Sequence, residues 1–262
     1  MPDNPVNIVV GTNNRHKLRE IRQILSDVPG VELVGLSAYT GVPDVVENAD
    51  TFAGNAQKKA YELARFIALA GRVGFASQST SMDDEDETDF EALSARRYRT
   101  VSGRQKKVSL TPERMPKVTR PANLDLLVMA DDSGLEVDVL GGAPGVISAR
   151  YAGKHGDDAA NNRLLLKNLK GVPPEKRKAR FVCEIALASP EGILFTVRGT
   201  VEGRIIDEER GGGGFGYDPL FFYPPLDQTF GEIPAEEKNK ISHRSQALAQ
   251  FHAELEKLLK SR

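Results

Sequence analysis

Residues 129–135 read MADDSGL, and they end a mostly apolar stretch that begins at Leu124. The apolar stretch predicts a buried strand, and two adjacent carboxylates are costly there unless a positive charge lies opposite them. Open α/β sheets bind ligands outside the carboxyl ends of their strands, which favours a divalent-metal or general-base site at this point. A turn is the alternative, because Asp, Ser and Gly also favour turns.

The composition limits the class of protein. The chain has 262 residues, 40% of them hydrophobic and 27% charged, which is enough for one large domain with its own core. A formal net charge of −2 argues against a general attraction to nucleic acid or to a membrane surface. The single cysteine, Cys183, predicts a protein of the reducing cytoplasm. No apolar run approaches the ~20 residues of a membrane span, so no membrane association is expected.

The segments on either side of residues 129–135 predict a mixed α/β fold. Residues 7–11 and 31–36 read as strands around a helix that carries Leu18, Ile21, Ile24 and Leu25, and together they predict a βαβ unit. Apolar periodicity and turn residues predict the other elements. These are helices over residues 51–70, 159–170 and 243–260, a hairpin of strands over 181–188 and 192–201, and a glycine-rich loop over 211–216.

One segment, residues 73–123, lacks sustained periodicity. It holds an acidic run over residues 83–91 and a basic stretch over residues 96–120. A structureless segment of this length inside a compact domain is usually disordered or functional. We therefore predict a single domain over residues 1–262, interrupted by a flexible charged insertion at about residues 73–123. A regulatory or nucleic-acid-contacting arm remains the alternative for this insertion.

The loop after the first predicted strand is a candidate phosphate-binding site. It lies before a helix N-terminus, where backbone N–H groups and the helix dipole favour an anion. Lys17 follows Gly11 at P-loop spacing, but His16 and Leu18 replace the glycine and the Ser/Thr of that motif, so this is not a Walker A sequence. The candidate binding residues of this loop are Thr12, Asn13, Asn14, Arg15, His16 and Lys17.

Three further blocks hold candidate site residues. Glu47 precedes a helix on which Asn55 and Lys59 lie at i, i+4 and therefore share one face. Residues 215–219, FGYDP, follow four glycines, and flexible backbone beside two aromatic rings suits a platform for a flat ring. Residues 236–244 end in Ser242-His243-Arg244, where Ser242 is a good N-cap and the next two side chains can donate hydrogen bonds to a ligand.

Taken together and in order, these blocks resemble the Ham1/inosine triphosphate pyrophosphatase family. The resemblance covers the chain except about residues 73–123, and the insertion departs from the usual family pattern. It rests on residues 12–17, on Thr51, Phe52, Asn55 and Lys59, and on residues 130–135, 141–146, 148–151, 213–219 and 237–244.

The resemblance implies a fold, an activity and partners. It implies an elongated mixed β-sheet with flanking helices that form two lobes around a nucleotide cleft, and a homodimer. It implies Mg²⁺-dependent hydrolysis of inosine, deoxyinosine and xanthosine triphosphates to the monophosphate and pyrophosphate.

For that chemistry we expect Asp132 to accept the proton of the attacking water and to bind Mg²⁺, with Glu47 as the second metal ligand and Asp131 as a third candidate. Lys17 and Lys59 are expected to hold the triphosphate. Phe215 is expected to stack on the purine, and His243 and Arg244 to read its 6-carbonyl. The remaining candidates for substrate binding are Ser133, Gly216, Tyr217, Asp218 and Lys238.

Two other functions remain open at this point. One is a pyrophosphatase of the related Maf type with a different base preference. The other is a nucleotide-binding sensor without catalysis, for which the charged insertion would be the output arm. The retention of Asp132, Lys17 and Lys59 argues against the sensor, and the blocks around Phe215 and Arg244 argue against the Maf type.

Overall fold

The computed structural model describes residues 5–12, 14–25, 28–39, 41–78, 115–118 and 126–260. The helices are α1 (Arg15–Leu25), α2 (Phe52–Gln78), α3 (Asp158–Asn168), α4 (Ala235–Ile241) and α5 (His243–Lys260). The strands are β1 (Val6–Val10), β2 (Val31–Gly35), β3 (Leu127–Val137), β4 (Lys178–Ser189), β5 (Gly192–Ile205), β6 (Phe221–Tyr223) and β7 (Gln228–Thr229).

The strands of the described chain form one seven-stranded mixed sheet in the order β2-β1-β3-β4-β5-β6-β7. β1 pairs in parallel with β2 and with β3, which confirms the predicted βαβ unit. The remaining pairs are antiparallel, and β4 and β5 form the predicted hairpin. The mixed α/β fold is therefore confirmed.

The two aspartates lie in the middle of a strand, not at its end. β3 continues from Leu127 through Asp131, Asp132 and Gly134 to Val137, so both the predicted strand end and the alternative turn are wrong. The strand continues because β4 pairs with it along its length, with Asp132 opposite Glu184 and Gly134 opposite Val182. Helices supply the partners of the two buried carboxylates, and this makes their mid-strand position tolerable.

Apolar side chains form separate clusters along the long strands. On one face of the sheet, Ile21 of α1 and Phe251 of α5 pack with Met129 of β3. On the opposite face, Leu63 of α2 packs with Val128. A further cluster joins the distal ends of β3, β4 and β5 to α3 and to Phe221 and Phe230. The site is built where β3 passes between these clusters.

Several elements differ from their predicted bounds. α2 runs to Gln78, and Thr51 caps it by accepting a hydrogen bond from the N–H of Gly54 at 3.0 Å. α4 was not predicted, because its seven residues are too few to show helical periodicity. Residues 73–78 of the predicted insertion belong to α2, so its predicted start is wrong. Residues 115–118 pair with Ile193 at the hairpin turn, and the other residues of the predicted insertion lie outside the described part of the chain.

Candidate active site

Asp131 points to the face of the sheet that α1 and α5 cover. Its Oδ2 atom lies 2.8 Å from Lys17 Nζ and 3.5 Å from Arg244 Nη2, and it accepts a hydrogen bond from Ser133 Oγ at 3.0 Å. Burial alone would raise the pKa of Asp131, but the charges of Lys17, Arg244 and Lys59 outweigh it and hold that pKa well below its usual range. Asp131 is therefore a permanent carboxylate.

Asp132 points to the opposite face, toward α2. Its Oδ2 accepts a hydrogen bond from Asn55 Nδ2 at 2.9 Å, and its Oδ1 accepts one from the N–H of Ser133 at 2.9 Å. Burial raises the pKa of Asp132 to about 6, against the opposing effects of Lys17 and Asn55, and the negative charge of Glu47 adds to the rise. A carboxylate with this pKa can accept a proton near neutral pH.

Glu47 reaches the site from an irregular segment that α2 fixes. Its Oε1 atom lies 2.5 Å from Lys59 Nζ. Lys58 Nζ donates to the carbonyl of Val46 at 2.7 Å, and Asn55 Oδ1 accepts from the N–H of Ala49 at 2.8 Å. The backbone is held on both sides of Glu47, so these contacts fix where its side chain enters the site.

Lys59 faces inward, as its candidate role requires. Burial would lower its pKa, but Glu47, Asp131 and Asp132 together raise it. Arg150 approaches the same segment, with its Nη2 donating to the carbonyl of Glu47 at 3.2 Å. Two cations thus lie beside Glu47, on the side of the sheet where Asp132 points.

The loop before α1 is organised by its own side chains. Thr12 is buried and its Oγ1 accepts from the N–H of Asn14 at 3.2 Å, while Asn14 Oδ1 accepts from the N–H of Lys17 at 3.2 Å and so caps α1. Arg15 and His16 begin α1, and Asn13 lies outside the described residues. The side chain of Lys17 reaches from this loop to Asp131 of β3.

The glycine-rich loop brings Phe215 next to two cations. Lys238 Nζ lies 4.8 Å from the centroid of the Phe215 ring, and Arg244 Cζ lies 5.9 Å from it. Asp218 Oδ2 accepts from Lys238 Nζ at 2.6 Å and from the N–H of Phe215 at 2.8 Å. Burial raises the pKa of Asp218 although Lys238 opposes the rise.

The side chains of the candidate binding residues Tyr217 and His243 contact other parts of the protein. Tyr217 is buried, and its hydroxyl donates to the carbonyl of Ser148 at 2.8 Å. The His243 ring is buried and stacks on Phe181 with ring centroids 4.9 Å apart. Burial, together with Arg244 and Lys238, lowers the pKa of His243 well below its usual value, so this imidazole is neutral. Its Nδ1 atom has no hydrogen-bond partner within the described chain.

Sequence reasoning missed Glu20, which joins the two ends of the site. Its carboxylate makes a very short contact with Arg244 Nη1 and lies 3.8 Å from Lys238 Nζ. Charges therefore alternate from Asp218 through Lys238, Glu20, Arg244 and Asp131 to Lys17. A signal was present in the sequence, because Glu20 lies three residues after Lys17 and shares its helix face.

The carboxylate oxygens of Asp131, Asp132 and Glu47 suit a hard cation that also coordinates a bound ligand. Among the described residues no group of three or more His, Cys, Asp or Glu side chains forms a complete metal cage. Asp132 and Glu47 are nevertheless close enough for Glu47 to raise the pKa of Asp132, and the buried Oδ1 of Asp131 has no hydrogen-bond partner in the described part of the chain. Mg²⁺ is typically held by one or two carboxylates together with substrate phosphates, and these residues fit that pattern.

A family model described as the Ham1 family matches residues 8–84 and 74–254. The dITP/XTP pyrophosphatase of Desulforamulus reducens is 39% identical over 241 residues, which cover 92% of this chain and 91% of the relative. The chain belongs to the Ham1 family.

Solved structures of Ham1 proteins have the same fold. The Ham1 protein of Staphylococcus aureus matches with a TM-score of 0.65 and 32% identity, over 95% of this chain and 98% of that protein. A HAM1 protein from Coxiella burnetii matches with a TM-score of 0.69 and 30% identity, over 96% and 99% of the two chains. Within the described residues, no helix of this Ham1 protein is long and apolar enough to cross a membrane.

Proposed function

We propose that this protein hydrolyses dITP, ITP and XTP to the nucleoside monophosphate and pyrophosphate, and so removes non-standard purine nucleotides from the nucleotide pool. Membership of the Ham1 family and relatives named dITP/XTP pyrophosphatase support the substrate class. The observation that carries the chemistry is the pair Asp131 and Asp132, whose carboxylates point to opposite faces of β3, Asp131 toward Lys17 and Arg244 and Asp132 toward Asn55.

Asp132 is the proposed general base. A water molecule attacks the α-phosphorus, Asp132 accepts a proton from it, and pyrophosphate leaves on the opposite side. Asn55, which donates to Asp132 Oδ2, fixes the orientation of the carboxylate. In the metal-free protein burial raises the pKa of Asp132 to about 6, and bound Mg²⁺ would lower it, because a cation favours the charged carboxylate that accepts the proton.

Mg²⁺ is the proposed cofactor, with Asp132 and Glu47 as its protein ligands. When bound, the ion would neutralise negative charge on the phosphates. Lys17 and Lys59 each pair with one carboxylate, and an ammonium group has three donors, so both lysines can also bind phosphate oxygens. Thr12 and Asn14 organise the loop that leads into α1, and the positive end of the α1 dipole favours the same anion.

The base end of the site supports a preference for a 6-carbonyl. Arg244 lies beside the Phe215 ring, and its buried Nε has no hydrogen-bond partner within the described residues. The adjacent His243 is neutral, and one of its nitrogens is a donor. Hypoxanthine and xanthine accept at the 6-position, whereas the amino group of adenine would leave these donors unpaired, which rejects an analogue strongly.

Pyrophosphate release from ITP, XTP, dITP, GTP and ATP, with and without Mg²⁺, tests the proposal. We expect fast Mg²⁺-dependent release from the first three and little from the last two. Binding of ITP without release would contradict catalysis and support the sensor. Preferred release from modified pyrimidine or 7-methylguanine nucleotides would support the Maf type.

We also propose that the protein is a homodimer of the cytoplasm. Cys183 is buried, and burial raises the pKa of its thiol to about 12, which suits an unreactive thiol in a reducing compartment. Sedimentation equilibrium of the full chain tests the dimer, and a monomer at micromolar concentration would contradict it.

A further inference from the structure

Two side chains of helix α3 form hydrogen bonds with the N–H and the carbonyl of Gly216. Asp158 Oδ2 accepts from the N–H of Gly216 at 2.7 Å, and Asn162 Nδ2 donates to its carbonyl at 3.2 Å. Asn162 is buried, and the same Nδ2 atom also donates to Glu209 Oε1 at 2.8 Å. Asn162 therefore contacts the last residue of the glycine-rich loop and Glu209, two residues before the loop begins.

The contacts matter because ordering a run of glycines costs more conformational entropy than ordering other residues. Gly211, Gly214 and Gly216 have positive φ angles, and glycine has access to more backbone conformations than any other residue. Asp218 accepts a hydrogen bond from the N–H of Phe215, and Asp158 accepts one from the N–H of Gly216. Two consecutive amide groups are thus fixed by two carboxylates that come from different parts of the chain.

We propose that Asp158 and Asn162 are positioning residues that hold Phe215 in the orientation in which it receives the purine. They act on the base and not on the phosphates, since their contacts end at residues 209 and 216. This inference rests on the proposed function, because it takes the ligand of Phe215 to be a purine nucleotide. The expected consequence is a change in KM for nucleotides with kcat preserved.

Adjacent aspartates at the start of α3 provide a matched control. Asp157 caps the helix by accepting from the N–H of Ala160 at 3.0 Å, whereas Asp158 reaches across to Gly216. Asp157→Ala and Asp158→Ala remove the same group and the same charge from neighbouring positions. Asp157→Ala removes the helix cap and Asp158→Ala removes the contact with the loop.

The experiment measures KM and kcat for XTP, together with the inhibition constant of inorganic tripolyphosphate, which has no base. For Asp158→Ala we expect KM to rise about tenfold, which is typical of a lost hydrogen bond to a charged group, while kcat stays within about twofold. Inhibition by tripolyphosphate should not change. Asp158→Asn keeps an acceptor for Gly216 and should restore KM, and Asp157→Ala should leave KM near the wild-type value.

Three outcomes would overturn the inference: an unchanged KM in Asp158→Ala, the same rise in Asp157→Ala, or a parallel change in inhibition by tripolyphosphate. Amide hydrogen exchange over residues 211–217 reports on the positioning role without any need for catalysis. It therefore separates failure of this inference from failure of the proposed function. If wild-type protein releases no pyrophosphate from XTP, the proposed function fails. Faster exchange in Asp158→Ala than in Asp157→Ala would still support the positioning role, and equal exchange would refute it.

Discussion

Asp131 and Asp132 are adjacent in the chain, yet their carboxylates lie on opposite faces of β3 and their pKa values are shifted in opposite directions. Successive side chains of a strand point to opposite faces, so Asp131 meets Lys17 and Arg244 while Asp132 meets Asn55. The mid-strand position therefore gives two neighbouring residues two different chemical environments.

Replacement of Asp132 by Asn should abolish turnover while the fold is kept. The amide retains an acceptor for Asn55 but cannot take a proton from water, so we expect kcat to fall by about 10²–10⁴-fold. Pyrophosphate release from XTP at saturating Mg²⁺ measures it. Near wild-type turnover would show that Asp132 is not the base.

In the absence of metal and at neutral pH, Asp132→Asn should be more stable than the wild-type protein. The pKa of Asp132 is about 6 in the folded protein, whereas its ordinary value is 3.8. Between these two pH values the folded protein keeps a proton on Asp132 that the unfolded chain has lost. The free energy of unfolding of wild type should therefore fall between about pH 4 and pH 6, by roughly 2–3 kcal/mol, and stay lower above this range. Asp132→Asn should lack this fall.

Urea denaturation in EDTA at a series of pH values checks this second effect. Superimposable curves of stability against pH for wild type and Asp132→Asn would contradict it. Mg²⁺ should reduce the difference between the two proteins, since a bound cation favours the charged carboxylate.

Arg244→Ala should destabilise the protein strongly. Arg244 is 1% exposed and pairs with Asp131 and Glu20, so its removal takes one cationic partner from the buried Asp131 and the nearer one from Glu20, at a cost of about 3–5 kcal/mol. Lys257→Ala is the control, because Lys257 pairs with Glu254 where both side chains are exposed, and it should cost less than about 1 kcal/mol. Equal losses in the two variants, measured by urea denaturation, would contradict the burial argument.

Arg244 also offers a test of base choice. Where Arg244→Ala remains folded, as judged by its urea transition, we expect the ratio of kcat/KM for ITP over that for ATP to fall. The reason is that one donor to the 6-carbonyl is lost. An unchanged ratio would remove Arg244 from base recognition and leave it the role of pairing Asp131 with Glu20.

Gly134→Ala should damage the site through packing. A Cβ atom at this position would lie 2.4 Å from Ser148 Oγ and 2.8 Å from the carbonyl oxygen of Gly145. Ser148 Oγ accepts from the N–H of Leu135 at 2.9 Å, so we expect a loss of about 1–3 kcal/mol and reduced activity. Gly212→Ala meets no atom within 4 Å and should melt near the wild-type temperature. Equal melting temperatures for both variants would contradict the prediction.

The sequence predicted the fold class and most elements because their apolar periodicity is regular. It failed at residues 131–134, where Asp, Ser and Gly favour turns locally but pairing with β4 overrides that preference. It also missed the contact of Glu20 with Arg244, since the two residues are 224 positions apart and only the packing of α1 against α5 brings them together. Tyr217 and His243 show the same limit, because motif position does not reveal which side chains become buried.

The long strands β3, β4 and β5 have a mechanical consequence. Each of them contributes side chains to the cluster around Phe251 and also to the cluster around Phe221, so neither cluster can unfold without disturbing the same three strands. The halves of the molecule should therefore melt together in a single calorimetric transition. A bound nucleotide would therefore stabilise one cooperative folding unit, and would not need to bring two independently folded units together.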